Sequence, residues 1–169
     1  ARKQILKWLE KTNIKVFTDD IANIFFRLEG IDKKSPPVLI GSHLDSQPSG
    51  GKYDGVFGVL AGIEIIQTLS EKKIIPDISI EVVAWMNEEG SRFAPGMMGS
   101  AVFTGARSLE KIKTIRDDRG VYLETEITKM NNSLPNLRKR SILRDTKCFL
   151  EAHIEQGPVL EMNEKTIGI

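Results

Sequence analysis

Val38-Leu39-Ile40-Gly41-Ser42-His43-Leu44-Asp45-Ser46 decides the fold class. Three apolar residues, of the kind found in a strand buried on both faces, run straight into a histidine, an aspartate and two serines. Pro36-Pro37 stops any helix just before them. On the C-terminal side comes a glycine-rich turn, Ser49-Gly50-Gly51-Lys52-Tyr53-Asp54-Gly55, followed by apolar residues at helical spacing from Val56 to Leu69 and the charged stop Glu71-Lys72-Lys73. Gly58 and Gly62 lie four apart, so one helix face is bare and can lie close to a sheet. Ile78 to Met86 is β-branched and apolar enough for a central strand, and it delivers Asn87-Glu88-Glu89-Gly90 at its C-terminal end. Strand, helix, strand in this order predicts an α/β layered domain.

Towards the N-terminus, Ile5, Trp8 and Leu9 fall at helical spacing, although no Ser, Thr, Asp or Asn precedes them as an N-cap. Ile14 to Phe17 and Ile21 to Leu28 read as two short strands around the polar Thr18-Asp19-Asp20 turn, a candidate hairpin. Towards the C-terminus, Ser108 to Met130 suggests short helices. Asn131 to Asp145, with Pro135 and the basic Arg138-Lys139-Arg140, reads as an exposed connection. Lys147 to Ile154 reads as a strand ending in His153-Ile154-Glu155-Gln156-Gly157-Pro158, and Thr166 to Ile169 as the beginning of another. A helix that starts at once and a strand left unfinished suggest a piece of a longer chain. Strands that should pair with missing parts would then be open edges.

The chain has 169 residues, 40% hydrophobic and 28% charged, which suits one globular domain and excludes disorder. Lys and Arg number 24 against 23 Asp and Glu, a net charge of +1, so no single-sign field draws it to nucleic acid or an acidic membrane. No apolar run approaches the roughly 18 to 20 residues of a membrane span, and no signal-peptide pattern is present. The expectation is a cytoplasmic protein that binds neither nucleic acid nor membrane. The single cysteine, Cys148, cannot form an internal disulfide and reads as a buried core residue. Trp8 and Trp85 read as packing residues, and Pro95-Gly96 as a rim near the Glu88-Glu89 pair.

Function is carried by where the polar groups fall. In open α/β sheets ligands gather outside the carboxyl ends of the strands. Here three strands run into His43 and Asp45, Glu88 and Glu89, and His153 and Glu155, with Asp54 in the first of those loops. Both histidines of the chain stand at such ends. A single histidine beside a strand is commonly structural, and an Asp-Gly pair commonly a turn. Their coincidence at one edge is not explained that way. Two adjacent carboxylates repel unless a cation or a shared proton relieves them, so a metal site uses all of these residues. Imidazole with carboxylate suits zinc, manganese, cobalt or nickel better than calcium.

The blocks Gly41-Ser42-His43-Leu44-Asp45-Ser46, Gly51-Lys52-Tyr53-Asp54-Gly55, Asn87-Glu88-Glu89-Gly90-Ser91-Arg92-Phe93 and His153 to Glu161 together resemble the metal-dependent amidase/hydantoinase/carbamoylase branch of the M20 clan. The resemblance covers nearly the whole chain in order. It implies a layered α/β/α, zinc-peptidase-like catalytic domain on a mixed, mostly parallel sheet. Residues 1–165 would be the first segment of that domain, and 166–169 the start of the connection to a lid and dimerisation domain. Residue by residue, it implies Asp54 as a carboxylate bridging two divalent ions, with His43 and His153 on one and Glu89 on the other. Asp45 would orient a ligand, Glu88 would be the general base, and Gln156 would bind the substrate. The family's remaining ligand to the second ion is a histidine far along the chain, with no counterpart here.

The activity so implied is hydrolysis of the carbamoyl C–N bond of N-carbamoyl-L-amino acids or ureidopropionate by a water between the two metal ions, in a homodimer. Allantoate hydrolysis and M20 exopeptidase or aminoacylase activity are the enzymatic alternatives, and an inactive binding or assembly module is the alternative of another class. The segment alone would be inactive.

Overall fold

The structure, a computed structural model, describes residues 1–134, 137–140 and 145–169. In chain order its elements are α1 (Arg2–Leu9), β1 (Lys15–Thr18), β2 (Ile24–Leu28), β3 (Val38–His43), α2 (Val56–Glu71), β4 (Ile80–Trp85), α3 (Met98–Phe103), α4 (Leu109–Lys113), α5 (Leu123–Ser133), β5 (Arg138–Lys139), β6 (Cys148–Leu150) and α6 (Val159–Met162). One six-stranded sheet runs β5-β1-β2-β4-β3-β6. The expected hairpin pairs β1 antiparallel with β2, and β2 pairs antiparallel with β4. The β4–β3, β3–β6 and β1–β5 pairs are parallel, so β2 alone runs against the rest.

Period-two alternation along β4 divides the core. Val82 and Ala84 face Ile5 and Leu9 of α1 and Val59, Ile63 and Ile66 of α2, while Val83 and Trp85 face Phe25, Leu39 and Phe103 on the other side. The bare face of α2 works as its glycines suggest. A Cβ on Gly62 would stand 2.9 Å from Val82 Cγ1, and one on Gly58 2.6 Å from the Ala152 carbonyl oxygen. A third cluster joins Met98 and Val102 of α3 to Ile112, Leu123 and Ile127 of α4 and α5. α3 has no counterpart among the elements expected from the sequence. Met97 is exposed, whereas Met98 is buried together with Val102 one turn on.

Several expectations give way. Arg138 and Lys139 are exposed, as expected, but form a strand registered on Phe17 and Thr18 and not a loop. Arg140 is buried, its guanidinium 4.5 Å from the Phe25 ring and paired with Glu81, a partnership that local composition cannot reveal. Pro135 lies outside the described residues. Cys148 is exposed, because β6 forms the sheet edge and all three of its residues are open. Trp85 is buried but Trp8 is half exposed. The last strand is shorter than expected, and Thr166 to Ile169 form none. Among the described residues no helix is long and apolar enough to cross a membrane.

The exposed Phe149 and Leu150 on an open edge carry a prediction. Produced by itself, the 169-residue chain self-associates, and light scattering giving a clean monomer would contradict this. A second concerns Asp19, fully buried at the hairpin. It accepts hydrogen bonds from the Ile21 and Asn23 backbone N–H groups and from the Asn23 amide. Burial outweighs these donors and pushes its carboxyl up from the ordinary 3.8 to about 6. A raised folded value means that Asp19 favours the fold most at low pH and loses that contribution as pH rises through about 6. Carbon-13 NMR of the carboxyl should show its midpoint near 6, not in the ordinary aspartate range.

Candidate metal centre

β3, β4 and β6 run parallel as neighbours, so their C-terminal ends share one edge of the sheet. His43 is the last residue of β3 and fully buried. Its Nδ1 lies 2.9 Å from the Asp45 carbonyl oxygen. A carbonyl only accepts, so Nδ1 carries a proton, and in the neutral ring the Nε2 lone pair is the one that faces the site. His153 repeats the arrangement, with Nδ1 2.9 Å from the Ile154 carbonyl oxygen.

Both Nε2 atoms face one carboxylate oxygen. Asp54 Oδ1 is 3.1 Å from His153 Nε2 and 3.7 Å from His43 Nε2. It is buried and has no hydrogen-bond donor. Three acceptors converging, with His43 and Asp54 buried and His153 at the exposed side, cost free energy unless a cation or a proton lies among them. His43, Asp54 and His153 each offer an atom within 4.8 Å of the others, as do His43, Glu88 and Glu89. Glu89 Oε1 is a second buried carboxylate oxygen without a donor. The donor set therefore fits a divalent cation held by imidazole and carboxylate.

Asp45 braces this edge. Its carboxylate accepts from the Glu88 N–H at 3.3 Å and the Glu89 N–H at 3.1 Å while its own carbonyl fixes His43. From the other side the Met97, Met98 and Gly99 N–H groups donate to the carbonyls of Glu88, Asn87 and Met86. Pro95-Gly96, expected as a rim, thus leads into a segment bonded beneath the carboxylate pair. Glu88 Oε2 stands 3.5 Å from His43 Nε2. Burial holds the Glu88 carboxyl above its ordinary value; His43 opposes this, and the negative charges of Glu89, Asp45 and Glu151 add to it.

All seven sequence-predicted residues, His43, Asp45, Asp54, Glu88, Glu89, His153 and Gln156, come together at this edge. The Gln156 amide donates to Asp54 Oδ2 at 2.7 Å. Glu155 stands apart, its two carboxylate oxygens accepting from the Val159 and Leu160 N–H groups at the start of α6. Sequence reasoning also missed Gly55. It has φ +65°, and a Cβ there would run into the His43 imidazole. Gly55→Ala should displace that ring and weaken metal binding at least tenfold, as metal titration would measure; unchanged affinity would contradict the packing.

The profile of peptidase family M20/M25/M40 matches residues 39–169. The chain belongs to this family. M20 members are metal-dependent, in keeping with the donor set above. The chain is 41% identical over 167 residues to an N-carbamoyl-L-amino-acid amidohydrolase of a Pseudomonas species, covering 98% of this chain and 40% of that protein. It is 38% identical over 151 residues to an allantoate amidohydrolase of Bacillus subtilis, covering 89% of this chain and 36% of that one. A crystal structure of a hydantoinase/carbamoylase family amidase from Burkholderia ambifaria superposes with a TM-score of 0.88 at 45% identity, covering 99% of this chain and 40% of that one. The chain thus spans about 40% of the length of the curated relatives it matches.

Proposed function

We propose that the complete gene product is a binuclear metal-dependent amidohydrolase that cleaves the carbamoyl C–N bond of N-carbamoyl-L-amino acids. The observation that carries this reading is Asp54 Oδ1, buried, without a donor, and faced by two imidazole Nε2 atoms. His43, His153 and Asp54 would hold one divalent ion, and Asp54 and Glu89 would contribute to a second. When bound, such ions lower the pKa of water and polarise a carbonyl. Residues 1–165 would supply the metal-binding segment of the catalytic domain.

Glu88 then moves the protons. Its carboxylate, at the mouth of the acceptor cluster, takes a proton from the water whose oxygen bonds to the carbamoyl carbon. The C–N bond breaks, and Glu88 returns the proton to the departing nitrogen. The carbamate left behind then loses carbon dioxide, which breaks the second C–N bond, so the products are ammonia, carbon dioxide and the free amino acid. Asp45 acts through position, because its carboxylate fixes the backbone of Glu88 and Glu89. Gln156 would bind the substrate through its second N–H or its carbonyl oxygen while the first N–H stays on Asp54 Oδ2.

The substrate preference rests on the carbamoyl-hydrolysing relatives, and the allantoate-hydrolysing relative supports allantoate as the second reading. A homodimer and a cytoplasmic location are proposed with it. The test is ammonia release after supplying zinc, manganese, cobalt or nickel, from N-carbamoyl-L-amino acids, ureidopropionate and allantoate, with dipeptide cleavage followed alongside. Turnover of the carbamoyl compounds is expected. Cleavage of the dipeptide alone would move the protein to the exopeptidases.

A further inference from the structure

Gln47 has no part in the reading above, yet its side chain reaches across the site to Glu89. Its Nε2 donates to the Glu89 carbonyl oxygen at 2.9 Å and to the carboxylate Oε2 at 3.1 Å. A primary amide has two N–H groups, so both bonds form at once. Anchoring Oε2 fixes the carboxylate plane and leaves Oε1, the buried oxygen without a donor, as the free one.

The backbone on both sides is held by other means. Asp45 accepts the Glu88 and Glu89 N–H groups, the Ser91 hydroxyl donates to the Ser46 carbonyl at 3.0 Å, and the Gly50 N–H donates to the Gln47 carbonyl at 3.0 Å. Removing the Gln47 amide therefore leaves the two loops fastened to each other. What it releases is the rotation of the Glu89 carboxylate. Partners of this kind orient a metal ligand and tune its strength.

We propose that Gln47 is a positioning residue that presents Glu89 Oε1 to a divalent cation and so sets the affinity of the ion on the Glu89 side. The proposal rests on Glu89 being a ligand. Manganese is the probe, titrated into the metal-free complete gene product with bound metal counted by plasma mass spectrometry. Gln47→Leu should weaken one manganese ion by about 10–100-fold and leave the other at its original affinity. Ser91→Ala, which loosens the loop contact without touching the carboxylate, should bind both ions as the parent does. If Glu89→Ala loses an ion while Gln47→Leu binds both normally, the positioning role is refuted and the ligand reading stands. If Glu89→Ala also keeps both ions, the ligand reading fails and takes the proposal with it. Equal weakening by Ser91→Ala and Gln47→Leu would assign the effect to loop packing and overturn the proposal.

Discussion

Glu88→Gln should lower kcat/KM by about 10²–10⁴-fold, the usual share of general acid–base catalysis, while metal content stays that of the parent. Glutamine has the shape of glutamate but cannot accept the water's proton at neutral pH. The backbone of residue 88 is held by the Asp45 carboxylate on its N–H and by Met97 N–H on its carbonyl, so the substitution leaves the side chain where it was. Removing a negative charge beside Glu89 also relieves repulsion within the pair, and the neighbouring ligand is not weakened by it. Metal retention is what makes the test sharp. Glu88 falls in the same group as His43 and Glu89, and from proximity alone it could be a ligand. Loss of a metal ion in Glu88→Gln would reassign it as one, and undiminished turnover would remove it from the proton path.

The edge where these groups meet was legible because each strand is followed at once by its polar residues. Apolar Val38 to Ile40 before His43, and Ile78 to Met86 before Glu88, fix both the strand and the side of the sheet on which its loop emerges. The hairpin and the glycine-lined face of α2 were legible for the same reason: the signal lies within a few residues of its effect. What stayed hidden depends on partners far along the chain. Gln47 acquires meaning from Glu89, 42 residues away. Arg140 acquires its meaning from Glu81, 59 residues away, and three consecutive basic residues look like surface until that carboxylate is found. Cys148 misled in the opposite sense. Cys-Phe-Leu has the composition of a core strand, and only the strand order places it at the edge.

The buried carboxylate of Glu81 carries the largest expected effect on stability. On the sheet face opposite α2, its Oε1 accepts from Arg27 Nη1 at 3.1 Å and its Oε2 from Arg140 Nε at 3.0 Å and Nη2 at 2.6 Å. All three side chains are at most 5% exposed. Glu81→Gln keeps the volume but sets an amide N–H against a guanidinium and removes the negative charge between two arginines that cannot deprotonate. Breaking a buried ion pair from one side costs about 3–5 kcal/mol, a large part of the roughly 5–15 kcal/mol that holds a domain folded. Arg27 retains Glu29 at 3.0 Å and the Ser79 hydroxyl at 2.9 Å, which places the loss towards the lower end. Replacing the cluster together, Arg27→Met with Glu81→Leu and Arg140→Met, should recover most of the stability, since no charge is then stranded. Denaturant titration of the complete gene product reads both variants, and an unchanged midpoint in Glu81→Gln would show the cluster to be hydrated. Glu81 lies on β4, the strand that carries Glu88 and Glu89 at its end, but on the face away from α2 and with no contact to either carboxylate. The Glu81→Gln protein that remains folded should therefore turn over substrate at the parental rate. A fall in activity per folded molecule would mean that the charge cluster is coupled to the metal centre through the strand itself.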